Sequence, residues 1–438
     1  MLLEAQFGLS LIFSLSLSLG PGFSVAQQTT HTLNKTPTRV LESLISEALL
    51  SHPSQKSQSL LVQSAQMGVD SARWQFYPTP SFSVENANTS ATDNAYLGDS
   101  TVTTLRLQQP LWTGGRLTAG LKKAEANVMM THASLEETRQ QLAIRVVQNY
   151  GDWLGAYLKI LANEKSMATH IRLYEQVKRR IQQGLSSDSD LTQAVTRLES
   201  LVSDIAVARA QQDIAEARLG QMIGRQVVTN SLRAELALPH PLNLGLTALL
   251  DQAQVINPSI QKSLAQARIQ ESVIAERRAD FYPEVYFRAE QQYGSYAYRN
   301  APSESRMFIG LSSHFGPGLS SRSELQSAQL QHQAYLEEMN AQALAVNEQV
   351  LTDFTLVASS QVRLISLKTS LKAAQEVSSS YERQFLAGKK TWLDVMNAAR
   401  ELAQTETQVA DTESAQLVVT WRLAITTQGL NDVLSGQP

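Results

Sequence analysis

The side chains best placed to do chemistry sit at two short corners built to one plan. In the first, Lys178, Arg179 and Arg180 precede Gly184, and Ser187-Asp188-Ser189-Asp190 follows. In the second, Gly388-Lys389-Lys390 leads into Thr391-Trp392-Leu393-Asp394. Cations at the end of one helix and a Ser/Thr-x-x-Asp box at the start of the next are helix-capping chemistry. The cations oppose the negative end of the macrodipole, and hydroxyl and carboxylate serve the free backbone amides. Gly184 and Gly388 fall where a helix ends in the left-handed conformation that suits glycine. Elsewhere the chemistry is sparse. Seven histidines (31, 52, 132, 170, 240, 314 and 332) lack metal-ligand spacing and read as surface or core fillers. No phosphate-binding loop, dinucleotide fingerprint or His-Glu-x-x-His occurs. Asp188-x-Asp190 opens like a calcium loop but lacks the glycine and the distal glutamate. Asn88-Thr89-Ser90 is a sequon of the kind that arises by chance. The absence of cysteine excludes disulfides, thiolate metal sites, a thiol nucleophile and a lipidated N-terminal Cys. The expectation is a protein that is not an enzyme, with no cofactor and no metal.

The corners recur at a fixed offset. Gly184, Asp190 and Ala194 answer to Gly388, Asp394 and Ala398, 204 positions on; Phe76-Tyr77-Pro78 answers to Phe281-Tyr282-Pro283, 205 positions on. Elements this far apart holding one offset mark an internal duplication. The sequence divides into a first repeat over 27–226, a connector over 227–245 carrying Pro239 and Pro241, and a second repeat over 246–438. Each repeat opens with a helix, about Val40–Gln75 or Leu246–Asp280, interrupted near its proline. Phe-Tyr-Pro stops it, because proline lacks the amide and biases its predecessor out of the helical region. Two strands follow, about 81–88 and 101–110 in one copy, 284–292 and 305–315 in the other. A long helix comes next, 115–183 or 319–387; at 1.5 Å per residue, about 69 residues make a rod of about 100 Å. A return helix, 189–224 or 393–431, completes the repeat. In the first return helix Leu191, Val195, Leu198, Val202, Ile205, Ala208 and Leu219 are spaced as a coiled-coil seam.

The N-terminus predicts a compartment. Leu9 to Leu19 is apolar apart from serines, and Gly20-Pro21-Gly22 and Ser24-Val25-Ala26 follow. This is the layout of a signal peptide over 1–26, although its first residues carry Glu4 and no Lys or Arg. Beyond it no run of 18 apolar residues occurs, so no membrane-spanning helix is expected. The 438 residues carry 37 Lys plus Arg against 40 Asp plus Glu, a balance that argues against a nucleic-acid partner.

The strands have the right length and pattern to cross a bilayer as part of a barrel. Phe82 and Val84, Leu105 and Leu107, Val285, Phe287 and Ala289, and Met307, Ile309 and Leu311 alternate with polar residues. Of the 28 aromatics, 14 lie in 76–113 and 281–316, as an interfacial girdle requires. Four strands cannot close a barrel, and open edges are excluded from lipid, so several copies must complete one. Apolar faces then meet lipid, and Arg106, Arg288 and Glu290 face a wet lumen. The loops 91–100 and 294–304 sit at one mouth. Two soluble hairpins capping a helical domain are the alternative.

The doubled unit, the Phe-Tyr-Pro stops, Gln109-Pro110-Leu111-Trp112-Thr113-Gly114-Gly115-Arg116 and Tyr381-Glu382-Arg383-Gln384-Phe385-Leu386-Ala387-Gly388 resemble the TolC-like outer-membrane efflux protein family. The resemblance covers Val40 to Asn431. It implies a mainly α fold with a small β-barrel part. Three copies would make a 12-stranded outer-membrane barrel on an α-helical barrel reaching through the periplasm of a Gram-negative bacterium. It implies docking to an inner-membrane ABC transporter, or a proton-driven pump, and to a periplasmic adaptor protein. The Trp-Thr-Gly-Gly-Arg strand end and Phe-Tyr-Pro-Thr-Pro are most similar to the type I secretion branch that exports large adhesins. A multidrug efflux outlet is the alternative within the family, and a periplasmic coiled-coil scaffold without a pore is the alternative outside it.

The resemblance also assigns the corners to a closed periplasmic end. Asp394 matches a first ring of carboxylates, and Asn397 falls where a second aspartate is expected. Lys390 matches a gating arginine, Ser189 and Asp190 stand at its partner positions, and Phe385 replaces a gating tyrosine. Three converging Asp394 carboxylates would focus negative potential and raise at least one pKa. Asn397 halves the ring charge, and a lysine makes a looser link than a bidentate arginine. Weaker cation block and easier opening are therefore expected than in relatives with two aspartate rings. In single-channel recordings Asp394→Ala should lose divalent-cation block and Lys390→Ala should raise conductance; an unaltered trace from either removes that residue from the constriction.

Overall fold

Proline sets the first joint of each repeat. His52 accepts from the Ser54 amide at 3.2 Å through Nδ1, Asn257 accepts from the Ser259 amide at 3.0 Å, and Pro53 and Pro258 take the first helical position. The opening helix is thereby split into α1 (Val40–Ser51) and α2 (Pro53–Trp74), and in the second repeat into α5 (Leu246–Ile256) and α6 (Pro258–Ala279). His52 is thus a cap and not the filler expected of it. Strands β1 (Thr79–Asn86) and β2 (Thr101–Trp112) lead to α3 (Arg116–Gln182) and α4 (Asp188–Ile223). Strands β3 (Glu284–Tyr293) and β4 (Glu304–Ser312) lead to α7 (Ser320–Leu386), α8 (Trp392–Gln428) and a short α9 (Leu430–Ser435). The computed structural model describes residues 40–88, 97–229, 232, 238–239, 244–300, 302–313 and 320–435. The expected signal peptide, residues 91–96 of the first strand loop and much of the connector lie outside them.

The four strands form one antiparallel sheet in the order β1-β2-β3-β4. Its register puts Phe82 opposite Leu105, Leu107 opposite Ala289 and Phe287 opposite Ile309, so the apolar residues share one face. Met307 and Ile309 are 76% and 77% exposed there. The other face carries the charges. Arg106 donates to Glu290 at 2.7 Å, and Arg288 lies 3.1 Å from the same carboxylate with its guanidinium 4.7 Å from the Phe308 ring. At one end, Asp99 accepts from the Ser295 and Asn300 amides, each at 3.1 Å, and fastens the second strand loop to the first.

Below the sheet the helices lie in rows. Near the strands the order is α2-α3-α6-α7; nearer the corners it is α4-α3-α8-α7. Helices α3 and α7, each of 67 residues, run through both levels. Between the levels α1 and α9 pack on the middle of α3 and the ends of α4 and α8, around the fully buried Trp153, Trp421 and Tyr150. A Cβ at Gly151 would meet Val418 Cγ2 at 2.2 Å, and one at Gly155 would meet Ser414 Oγ at 2.8 Å. These two glycines, one turn apart, let α8 lie against α3.

Two sequence expectations change. The buried seam of α4 is Ala194, Leu201, Ala208, Ala215 and Leu219, whereas Val195 and Val202 are exposed. Two adjacent heptad rows are both apolar, and the alanine-rich one faces α3. Second, α7 contains an 18-residue window of mean hydropathy 1.2 that length and composition would allow to cross a bilayer. Only 17% of that window is buried in the protomer, because its apolar stripe lies on the open edge of the rows.

Asp353 of α7 is fully buried and takes both Nε (2.9 Å) and Nη2 of Arg422 on α8. The carboxylate holds the Arg422 guanidinium above its ordinary pKa. The first repeat carries the neutral Asn149 at the equivalent position, turned back to its own Arg145 carbonyl at 2.7 Å. Removing one partner of such a pair strands the other charge. Asp353→Ala should cost about 3–5 kcal/mol in denaturant unfolding of the detergent-extracted protein, and Asp353→Asn, copying the first repeat, should cost less.

The helical tip as candidate functional site

The corners meet at one end of the helical rows. Each long helix closes with the same pair of bonds. The Gly184 amide donates to the Ile181 carbonyl at 2.9 Å and the Leu185 amide to Arg180 at 2.8 Å. Gly388 donates to Phe385 at 3.0 Å and Lys389 to Gln384 at 2.8 Å. This closure needs positive φ, which is +72° at Gly184 and +71° at Gly388. The return helices open with the capping boxes expected from sequence. Asp190 accepts from the Ser187 amide at 3.1 Å, and its own amide donates to Ser187 Oγ at 3.4 Å. Asp394 Oδ2 accepts from the Thr391 amide at 3.1 Å and from the Thr391 hydroxyl at 2.8 Å, while the Asp394 amide donates to Thr391 Oγ1 at 3.2 Å.

The Thr391 hydroxyl, then the Thr391 amide, hold the Asp394 carboxyl below the usual carboxylate range, with Lys390 adding to the effect. In one protomer this is opposite in direction to the rise expected where three such groups converge. Lys390 Nζ lies 4.0 Å from Asp394 Oδ2 and 4.2 Å from the Tyr381 ring centroid. Ser189 shares a 2.7 Å hydrogen bond with Ser187, so Ser189 and Asp190 are both engaged in their own cap. Asn397 accepts from Arg400 at 2.7 Å.

Phe385 is 3% exposed, in a core with Trp392, Leu173, Val177 and Val395. Its ring lies 5.6 Å from that of Trp392 and 4.6 Å from the Arg180 guanidinium. The structure thus gathers Tyr381, Lys390 and Asp394 into one cluster, Phe385 with Arg180 and Trp392 into another, and Asp190 with Ser189 into a third. Sequence reading missed the middle cluster. Its only signal was a cation in the last turn of α3, which helix capping already explained.

A sequence model of the family described as outer membrane efflux protein matches residues 44–225 and 249–424, well over half of the chain. The chain belongs to the outer membrane efflux protein family. Alkaline protease secretion protein AprF of Pseudomonas aeruginosa is 21% identical over 311 residues, 69% of this chain. That match spans 64% of AprF, somewhat less than two-thirds of the relative's length. Among solved structures, CusC is similar over 93% of this chain and 99% of its own, at 19% identity and a TM-score of 0.77. VceC from Vibrio cholerae is similar over 89% and 96%, at 17% identity and a TM-score of 0.76. The open state of the MtrE outer membrane channel of Neisseria gonorrhoeae is similar over 95% and 98%, at 16% identity and a TM-score of 0.74. These likenesses establish the TolC-like fold. Membership of the efflux family places the chain in the outer membrane, extending into the periplasm, in a family of channels and not of enzymes.

One buried group of this efflux-family helical section is poised to titrate. His170 of α3 is 2% exposed, and its Nδ1 lies 2.9 Å from the Ser166 carbonyl oxygen. A carbonyl only accepts, so Nδ1 carries the proton and Nε2 is a bare lone pair without a partner among the described residues. Burial pulls the imidazole below its ordinary pKa, and the Arg197 guanidinium adds to this, against the Ser166 bond. With the folded value below the unfolded one, the unfolded chain takes up the proton first. The stabilisation is complete above the unfolded pKa of about 6.5 and is lost as pH falls through the folded value. His170→Gln should therefore lose less thermal stability than the wild type between about pH 7.5 and about pH 5.5, read as the melting midpoint of the detergent-extracted protein.

Proposed function

We propose that this chain is the outer-membrane exit duct of a tripartite export system, a homotrimer that moves a polypeptide and is energised by its partners. The observation that carries the reading is that every layer of the protomer is open at the same two sides. The sheet ends in β1 and β4, and the helical rows end in α2 or α4 on one side and α7 on the other. The first repeat supplies one edge throughout and the second repeat the other. Both edges are apolar. Val195, Val202, Val207 and Ile214 of α4 are exposed, and so are Leu330, Leu344, Leu351 and Ile365 of α7 at heptad intervals. Head-to-tail contact of two different edges generates a ring. Three copies give 12 strands with the apolar sheet face toward lipid and the Arg106–Glu290–Arg288 face toward the lumen. The two repeats, 27–226 and 246–438, follow a leader over 1–26 in this reading and are joined through 227–245.

The likeness to an alkaline protease secretion protein supports a polypeptide cargo and hence type I secretion, with an inner-membrane ABC transporter and a periplasmic adaptor as partners. An adhesin as the particular cargo draws on the sequence resemblance alone. The family's description as an efflux protein favours a second reading, the outlet of a multidrug pump. In either case the tip, with Asp394, Lys390 and Phe385, is the proposed periplasmic constriction.

Deletion should abolish appearance of a secreted protein in the medium and leave drug sensitivity unchanged; the reverse pattern selects the drug outlet. The purified protein should run as a heat-modifiable trimer and conduct in planar bilayers. Ile365→Glu, which places a charge in the closing seam, should lower trimer yield at least tenfold, the effect of about 1.4 kcal/mol on an equilibrium. A soluble monomer without channel activity would leave the pore-free scaffold as the reading.

A further inference from the structure

We infer that Arg180 is a positioning residue that latches the second corner of the tip to the first, so that the constriction opens by withdrawing Phe385 from its guanidinium. The inference rests on the duct reading. Along most of their length α3 and α7 are kept apart by α6 or α8, and at the tip they meet through few polar contacts. One is Gln176 Nε2 to Glu382 Oε1 at 3.5 Å, the limit of a hydrogen bond. The other is Arg180. Its guanidinium carbon lies 4.6 Å from the Phe385 ring centroid, and its Nη1 donates to the Phe385 carbonyl at 3.4 Å.

Arg180 has no carboxylate partner among the described residues, and its Nε is buried without a hydrogen bond. For this partly buried guanidinium, which also sits at the negative end of its own helix α3, the second repeat supplies two further compensations. One is the negative face of an aromatic ring. The other is the C-terminal end of α7, where the macrodipole is negative and the Phe385 carbonyl, which also accepts from the Gly388 amide, takes Nη1. Phe385 also packs against Trp392, the two rings tilted by 53° with centroids 5.6 Å apart, and the Trp392 indole N–H is buried without a hydrogen bond among the described residues. The contacts Arg180–Phe385–Trp392 therefore run from the end of α3, across the end of α7, to the start of α8. Swinging the α7–α8 corner away from α3–α4 removes both of these compensations at once. Lys390 on its Tyr381 ring contributes nothing to this tie, since both belong to the second repeat.

The test uses full-length trimers in planar bilayers. Arg180→Gln should raise the open-to-closed ratio about tenfold, within the range of a desolvated cation–π contact, while trimer yield and melting midpoint stay at wild-type values. Arg180→Lys keeps the charge but loses the flat face and the fork, and should behave more like Gln than like Arg. Phe385→Leu removes the ring face and keeps apolar volume; it should open the channel in the same direction and serves if Arg180→Gln does not assemble. The chain has no cysteine, so Gln176→Cys with Glu382→Cys makes a single defined pair across the seam. The side chains at these positions meet only at their tips, so the pair is bridged with a reducible bis-thiosulfonate crosslinker; in the Arg180→Gln background this should restore closure, and reductant should undo it. Crosslinking yield of that pair also reads corner separation without conductance, and should fall when Arg180→Gln is added. Assembled Arg180→Gln and Phe385→Leu trimers that gate and crosslink like the wild type overturn the latch. A wild type that conducts nothing while its crosslinking still depends on Arg180 overturns the duct and leaves the latch standing.

Discussion

A strand edge left unpaired in hydrocarbon forfeits every second backbone hydrogen bond along its length, a cost no side chain can offset. In this protomer β1 and β4 each present such an edge, and the helices continue the same two open sides far below the sheet. The rest of the architecture follows from the need to close them. Duplication makes closure simple, because the seam between repeats inside one chain is a template for the proposed seam between chains. Within the protomer β2 pairs with β3, and α3 lies against α8. The equivalent pairs between copies are β4 with β1 and α7 with α4.

The two seams differ in chemistry. Inside the protomer, α3 and α8 are tied by Lys159–Asp411 at 2.6 Å and Lys165–Glu406 at 2.5 Å. At the positions of α4 equivalent to Asp411, Glu406 and Val418 stand Val207, Val202 and Ile214, all exposed in the protomer. A contact made within one chain has its partner at high effective concentration and tolerates polar pairs worth little each. A contact made between chains must overcome the entropy of association, for which apolar area is the effective currency. The same logic explains why α7 is apolar enough to resemble a membrane span while remaining mostly uncovered in one copy.

Much of this was legible in sequence because it depends on local backbone rules. Gly184 and Gly388 end helices for the reason any C′ glycine does, Ser187/Asp190 and Thr391/Asp394 make the boxes their spacing requires, and Phe-Tyr-Pro stops α2 and α6. The alternation in Leu105, Leu107, Phe287 and Ala289 fixed the faces of the sheet. What remained illegible depends on which neighbour a residue meets. Val195 looks more like a core residue than Ala194 does, because hydrophobicity scales reward size, and nothing local ranks Leu201 above Val202. A helix that must lie close to a parallel rod instead buries its alanine-rich row, as α3 presents Gly151 and Gly155 to α8. The partner of Arg180 lies 205 residues away in sequence, and no periodicity connects them.

The tip combines stability with a proposed constriction in the same atoms, and this limits how it can move. Asp394 Oδ2 is committed to the Thr391 amide and hydroxyl, with Lys390 alongside. In the proposed trimer only Oδ1 is free to face the axis. The carboxylate cannot turn toward a passing cation without uncapping α8. A constriction built from capping carboxylates therefore responds to cargo by moving whole helices and not by rotating side chains. The burden of holding the closed state then falls on contacts between helices from different repeats. At this tip the polar contacts that cross from α3 to α7 are Gln176 with Glu382 and Arg180 with Phe385, and the lysine that resemblance alone would nominate makes neither.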